Sequence, residues 1–359
     1  MTRNLLPSMP TRWLFMFVCS LAMYVLLYSG SGQATDTEPA LEDLFGTVHR
    51  SVVLVRTRER TIVDVDHSGF LPFSDQGSGV LISADGDVLT AAHLVQVADR
   101  VQVEFADGTK AEAKIVASEP VADLALLKLE RVPESAIVAQ LGDSDAVRIG
   151  QPVFVIGAPY GLSHTLTAGR ISGRHLPGTL GGPLNLAEFF QADVPVHRGN
   201  SGGPMFDMNG NVIGIVSHFL SQSGAFEGLG FSVTSNSIKE LLLKRPSPWS
   251  GISVYALDEI LAGIFNLPQS SGLLVQRIAS GSPGAKLGLQ PGFLPVMFGD
   301  QQIMLGGDII LAVDQIAVGT LESYVEIRRH LADISAGQTV VVRILRQGQI
   351  LDLSMSVEE

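Results

Sequence analysis

Ser201 stands in the run VHRGNSGGPM, Val196 to Met205, between Gly199-Asn200 and Gly202-Gly203-Pro204. Gly, Asn, Ser and Pro are the ordinary residues of turns, so one reading is a plain turn and the other a hydroxyl nucleophile held in a tight loop. A nucleophilic serine needs a base within hydrogen-bond reach and a carboxylate to orient that base. Among eight histidines, His93 lies in VLTAAHLV, where a strand pattern passes into a turn or short helix behind the small residues Thr90, Ala91 and Ala92. Asp123 lies in PVADLALLKLE, at the head of an apolar strand. A carboxylate is costly there unless its charge is partnered; a cap or turn role is the plainer reading.

The segment Gly199 to Gly203 also fits G-x-S-x-G, the serine turn of the α/β-hydrolases. That motif needs a helix after the serine and a histidine further downstream. Here GGPMFDMNGNVIGIV follows, a hairpin pattern around Asn209-Gly210; His218 is too near and His330 lies in another domain. No H-E-x-x-H spacing and no phosphate loop occurs, so neither a metal nor a cofactor is implied.

The elements that must position these residues are mostly strands. SVVLVRTRER reads as a first strand, and GSGVLIS and DVLTAAHLV flank an Asp85-Gly86 turn. RVQVEFADGTKAEAKIVAS repeats the device at Asp107-Gly108, with Val101, Val103 and Phe105 alternating toward one buried face. LALLKLE, QPVFVIGA, LTAGRISG, FFQADV, NVIGIVSHF and GLGFSV continue the series without a βαβ rhythm. This pattern points to antiparallel barrels or a sandwich. A helix over NSIKELLLKR closes the region, and PSPWS, Pro246 to Ser250, marks a domain boundary. The rest reads as a small domain of five or six strands and two helices.

The chain has 359 residues, 46% hydrophobic, with 38 glycines and 18 prolines. A net charge of −12 argues against nucleic acid as a partner, since no basic stripe is present to neutralise phosphates. At the amino terminus Arg3 and Arg12 precede an uncharged apolar run from Trp13 to Tyr28, and Gly32 and Ala34 are spaced like a signal-peptidase site. The segment 1–34 therefore reads as an export signal or an uncleaved inner-membrane anchor over residues 13–30. The single cysteine, Cys19, lies within it, so the exported part can form no disulfide.

Taken together, TAAH, DLALL and GNSGGP resemble the three signature segments of the chymotrypsin-like proteases, in the same order. Residues 40 to 359 resemble the HtrA/Deg family through GSGVLIS, VLTAAHLV, ADLALLKLE, LGDSDAVRIGQPVFVIGAPYGL, TAGRISG, QADV, GNSGGPMFDMNGNVIGI and GLGFSV. That resemblance implies a mainly β fold, a chymotrypsin-like double β-barrel over 35–245 followed by a small α+β PDZ domain over 249–359. The layout is similar to the membrane-tethered branch. It implies a periplasmic or cell-envelope serine endopeptidase acting on unfolded or misassembled proteins, and a homotrimer. His93 would be the base, Asp123 its orienting carboxylate, and the N–H groups of Gly199 and Ser201 the oxyanion hole. Trp249, Ser250, Gly251 and Ile252 match the carboxylate-binding loop of a PDZ domain, where a peptide's carboxy terminus would add a strand. The alternative is a PDZ-bearing chaperone or sensor with little proteolytic turnover.

Two departures from the family qualify the resemblance, and Asn200 carries a separate argument. Asn200 replaces the aspartate that, in digestive relatives, pairs with a new amino terminus; an amide cannot form that ion pair. Control then falls to loop conformation, with Ser172 to Phe189 resembling the family's sensor loop. His197-Arg198 stands where the family has Asn-Pro; losing the proline is expected to loosen that turn, and the two read as solvated loop residues, the alternative being that Arg198 attracts acidic groups or latches the loop in an inactive form. A partly apolar insertion follows Pro291-Gly292 in the second domain. The pocket framed by GIVSHF and GLGFSV carries no acid placed as in trypsin, so small or medium aliphatic residues are expected before the scissile bond.

Overall fold

The fold is mainly β, as the alternation predicts. A computed structural model describes residues 40–62, 70–180, 182, 184–220, 226–299 and 301–357. The amino-terminal segment read as a signal or anchor lies outside them. Among the described residues no helix is long and apolar enough to cross a membrane.

After a helix over Leu41–Val48 come β1 (Val52–Ile62), β2 (Phe70–Leu81), β3 (Asp87–Thr90), β4 (Arg100–Glu104), β5 (Lys110–Glu119) and β6 (Leu124–Leu129). They close into a barrel in the order β1-β2-β3-β6-β5-β4. The strands β7 (Pro152–Gly157), β8 (Thr165–His175), β9 (Phe189–Ala192), β10 (Pro204–Phe206), β11 (Val212–Phe219) and β12 (Gly230–Thr234) close a second, in the order β10-β11-β12-β9-β8-β7. Val101, Val103 and Phe105 are buried as their alternation requires. Phe154, Phe189, Phe206, Leu124 and Ile156 belong to a cluster shared by the two barrels, packed with Leu44 and Val48 of the first helix. That cluster holds the barrels in fixed register, which matters because the candidate residues come from both.

The helical pattern in NSIKELLLKR is realised as a helix over Ser235–Ile238 that continues as a wider turn over Lys239–Lys244. The Pro246–Ser250 boundary is not a free linker. Pro248 pairs with Ala117 of β5, and the Ser118 N–H donates to the Ser247 carbonyl at 3.1 Å.

The second domain is richer in strands than its sequence implies. It comprises β13 (Ile252–Leu257), β14 (Gly272–Ile278), β15 (Leu294–Phe298), β16 (Gln301–Leu305), β17 (Ile309–Val313), β18 (Ile316–Ala317), β19 (Thr339–Arg346) and β20 (Gln349–Ser356). Helices cover Glu259–Ile264, Pro283–Lys286 and Leu321–Asp333. The expectation of five or six strands and two helices took the insertion after Pro291-Gly292 for a loop. It folds on itself as the hairpin β15-β16, outside the main sheet, and its apolar letters had read as loop. β13 lies at the edge of that sheet, beside β14.

Two buried or half-buried ion pairs fasten this domain to the first barrel. Arg328, on the helix Leu321–Asp333, reaches Glu119 at the end of β5, and the Tyr324 hydroxyl donates to the same carboxylate. Arg277 on β14 binds Glu59 on β1 at 2.7 Å. Burial pushes the Glu119 carboxyl above its ordinary range, while Arg328 and Ser247 pull it back.

Candidate active site

His93 begins where β3 ends. Thr90 is buried, and its hydroxyl donates to the Ser78 carbonyl at 2.7 Å, which locks the chain before a one-turn helix over Ala92–Val95 presents the imidazole. Asp123 immediately precedes β6 with φ +57°, a left-handed conformation that aspartate tolerates better than most residues. From there its carboxylate receives the His93 backbone N–H at 3.0 Å and faces His93 Nδ1 at 2.9 and 3.0 Å. The carboxylate's partner is therefore histidine, and the reading of Asp123 as a mere cap is set aside.

Ser201 sits in a turn that only glycine can complete. The Asn200 N–H donates to the His197 carbonyl at 3.0 Å, with Gly199 at φ +101° in the third position, as in a type II turn. A Cβ on Gly199 would collide with the Ala158 carbonyl, and one on Gly202 (φ +82°) with the Ser78 carbonyl. Among the described residues neither the Gly199 nor the Ser201 N–H donates to a protein acceptor. Both stay available for a ligand oxygen.

Sequence reasoning missed two residues that hold this geometry. Ser217 on β11 donates its hydroxyl to Asp123 Oδ2 at 2.5 Å, and its carbonyl accepts the Ser201 hydroxyl at 3.0 Å. Ser78 on β2 donates to the Gly199 carbonyl at 2.6 Å and accepts the Ala158 N–H at 2.9 Å. Ser217 at least stands in the largely apolar strand VIGIVSHF; Ser78 lies in the mixed strand FLPFSDQGSGVL, which gives no such signal. In this resting geometry the Ser201 hydroxyl is turned to Ser217 and makes no hydrogen bond to His93. Such bonds commonly tighten only with substrate in place.

The electrostatics favour a charged imidazole. Burial works against the His93 cation, but the hydrogen bond and charge of Asp123, with Asp75 beyond, raise its pKa above the ordinary histidine value. Asp123 is pushed up by burial and pulled further down by its bonds to His93 and Ser217. Its pKa falls below the usual carboxylate range. His218, stacked on Phe231 at 5.3 Å, has its pKa lowered by burial and by the neighbouring His93.

The carboxylate-loop candidates are tied to this site. Gln96, just past the His93 helix, donates to the Ile252 carbonyl at 2.8 Å and to the Ser250 hydroxyl at 3.3 Å. The Trp249 indole N–H donates to the Gln96 carbonyl at 2.9 Å. Gly251, φ +69°, packs against Ser282 and leads into the sheet edge at β13. Among the described residues there is no group of His, Cys, Asp or Glu that could hold a metal ion.

Two linked barrels with this histidine–aspartate–serine arrangement, and a small sheet domain after them, define a trypsin-like peptidase fold joined to a PDZ domain. Residues 77–215 match the trypsin-like peptidase domain family and residues 228–357 the PDZ domain family. The chain therefore carries a trypsin-like peptidase domain followed by a PDZ domain, and it is similar over most of its length to HtrA-type serine proteases. A probable periplasmic serine endoprotease DegP-like from Marinomonas sp. (strain MWYL1) is 37% identical over 293 residues, covering 79% of this chain and 57% of that protein. A protein of the same name from Pseudomonas putida (strain W619) is 35% identical over 290 residues, 78% of this chain and 55% of the relative. The chain thus spans little more than half the length of these curated relatives. A solved HtrA-type protease AlgW with tripeptide superposes with a TM-score of 0.51 at 28% identity, covering 89% of this chain and 97% of that one.

Proposed function

We propose that this chain is a serine endopeptidase of the periplasm or cell envelope, cleaving unfolded or misassembled proteins under control of its PDZ domain. The observation that carries the reading is His93 held by both oxygens of Asp123 while Ser217 joins that carboxylate to Ser201. On this reading the domains run over 35–245 and 249–359. Ser201 attacks the peptide carbonyl, His93 takes its proton and returns it to the leaving amine, and Asp123 stabilises the imidazolium. The N–H groups of Gly199 and Ser201 receive the oxyanion. Labelling by a fluorophosphonate probe together with cleavage of unfolded casein tests this; an unlabelled Ser201 in folded protein overturns it. Sizing the same sample tests the homotrimer, and fractionating cells tests export and anchoring through residues 13–30.

The raised His93 pKa sets the acid limb of the rate profile. The base must be neutral, so kcat/KM falls as pH drops through the His93 pKa, which lies above the ordinary value of about 6.5. Loss of activity should therefore set in at a higher pH than an unperturbed imidazole would give. A profile flat down to about pH 5.5, well below that reference value, would contradict the assignment.

Control rests on the loop Val196 to Asn200. Asn200 is buried, yet among the described residues its Oδ1 has no partner and its amide N–H meets the Pro195 carbonyl only at 3.4 Å. A half-satisfied buried amide costs stability and leaves other loop conformations close in energy. A carboxy-terminal peptide bound along β13 biases the loop by its differential affinity for the competent state; Gln96, just past the His93 helix, bonds the start of β13. An apolar peptide with a free carboxylate is expected to raise turnover of a small chromogenic substrate, and amidating it to weaken the effect. Arg198 occupies the second position of the type II turn, where proline is favoured. Arg198→Pro is expected to raise basal turnover about two- to fivefold by stiffening that turn. Unchanged rates in both experiments mean a permanently formed oxyanion hole.

A further inference from the structure

Beside the nucleophile loop lies a cavity of about 420 Å³, walled by β1, β2, β4 and the Tyr160 and Arg198-Gly199 segments. Four arginines line it: Arg56 and Arg58 on β1, Arg100 on β4, and Arg198. Alternation puts Arg56 and Arg58 on the same outward face of β1. In the register of the first barrel Arg58 stands directly opposite Arg100. Like charges so placed are destabilising, and the neighbours offset only part of the charge. Arg100 binds Glu112 through two hydrogen bonds, 2.8 and 2.7 Å, and Arg56 pairs with Glu104 at 3.3 Å. Asp75 also lines the cavity, capping the Gln76 N–H at 2.8 Å. Among the described residues Arg58 and Arg198 make no direct ion pair, although Arg58 lies close enough to Glu112 for its charge to help lower that carboxyl's pKa.

The cavity's position relative to Ser201 says what reaches it. Ser217 and β11 flank the nucleophile on one side. On the other, the Ser78 N–H binds the Ser201 carbonyl at 2.8 Å, and Gln76 and Gly199 form the near wall of the cavity. A substrate strand lying along β11 places its reacting carbonyl at the Gly199 and Ser201 N–H groups. Its continuation after that bond then passes over Gln76 into the arginine-lined space. We infer that Arg58 and Arg198 form a subsite for an acidic side chain within the first three residues after the scissile bond. The inference rests on the proteolytic reading of Ser201. Guanidinium groups suit this role because their planar fork matches a carboxylate and keeps its charge at any working pH.

The test uses the full chain and internally quenched peptides that differ only by Glu, Gln or Lys at each of those three positions. At one or more of them kcat/KM for the Glu peptide is expected to exceed that for the Gln peptide about fivefold, the upper range for a solvent-accessible ion pair. Arg58→Gln should lower that ratio toward one, and Arg58→Glu should favour Lys. In the unmodified protein the ratio should shrink between low and high salt, a readout that needs no variant. Equal rates for Glu and Gln at all three positions overturn the subsite while leaving the peptidase reading intact. If no peptide is cleaved and Ser201 resists the fluorophosphonate, both readings fall together.

Discussion

Ser201→Ala is expected to lower kcat on a peptide substrate about a millionfold, and His93→Ala to do about as much, because the two act as one unit. What remains in either variant comes from the Gly199 and Ser201 N–H groups and from substrate binding, neither of which needs the proton transfer. Asp123→Asn should cost about ten-thousandfold, since an amide facing His93 Nδ1 favours the wrong tautomer and cannot stabilise the imidazolium. Combining Ser201→Ala with His93→Ala should add little to either alone. Single-turnover kinetics on an internally quenched peptide measure all four variants. Full activity in either single alanine variant would remove Ser201 and His93 from the mechanism.

Arg328→Met is expected to destabilise the chain by about 3–5 kcal/mol, the range for stripping one partner from a buried pair. Glu119 is 2% exposed, and Arg328 supplies the positive charge beside it; Tyr324 and Ser247 contribute only neutral donors. The double variant Glu119→Gln with Arg328→Met should recover most of that loss, because removing both charges leaves nothing to desolvate. The pH dependence has a definite sign. With its folded pKa raised by burial, Glu119 takes up a proton before an unfolded carboxyl does. Without Arg328, which pulls it down, the Glu119 pKa in the variant lies higher still, so the penalty of Arg328→Met is full above that higher pKa and shrinks as pH falls through it. Denaturant titration, with hydrogen exchange across residues 115–119 and 321–330, separates global loss from local undocking. A change below about 1 kcal/mol, the level of an exposed pair, would show that the two domains are held by other contacts.

Much of the first barrel was legible because its signals are local. Val101, Val103 and Phe105 alternate, Asp85-Gly86 and Asp107-Gly108 mark turns, and each recurs at the expected place. The insertion in the second domain was misread although Gly299-Asp300 is a two-residue turn signal, because the mixed apolar letters on either side show no clear period. Its strands are set by pairing with each other, a property no single window displays.

By itself the sequence determined the chemical types at the site and their order along the chain: a histidine after small residues, an aspartate heading an apolar strand, and a serine between glycines. It also determined that Asn200 has no charge to offer a zymogen-type partner. Only the tertiary structure decided that Ser217 would bind both the Asp123 carboxylate and the Ser201 hydroxyl. The same holds for Ser78 pinning the carbonyl of Gly199, 121 residues away, for Gln96 meeting the loop at Ser250, and for Glu119 being closed over by Arg328. Arg58 and Arg198 are also far apart in sequence, and folding brings both to the wall of one cavity. The reason is common to all five. A residue's type and local pattern state what it can bind, but the partner of a buried polar group is chosen by barrel closure and domain docking. Those depend on contacts spread over the whole chain.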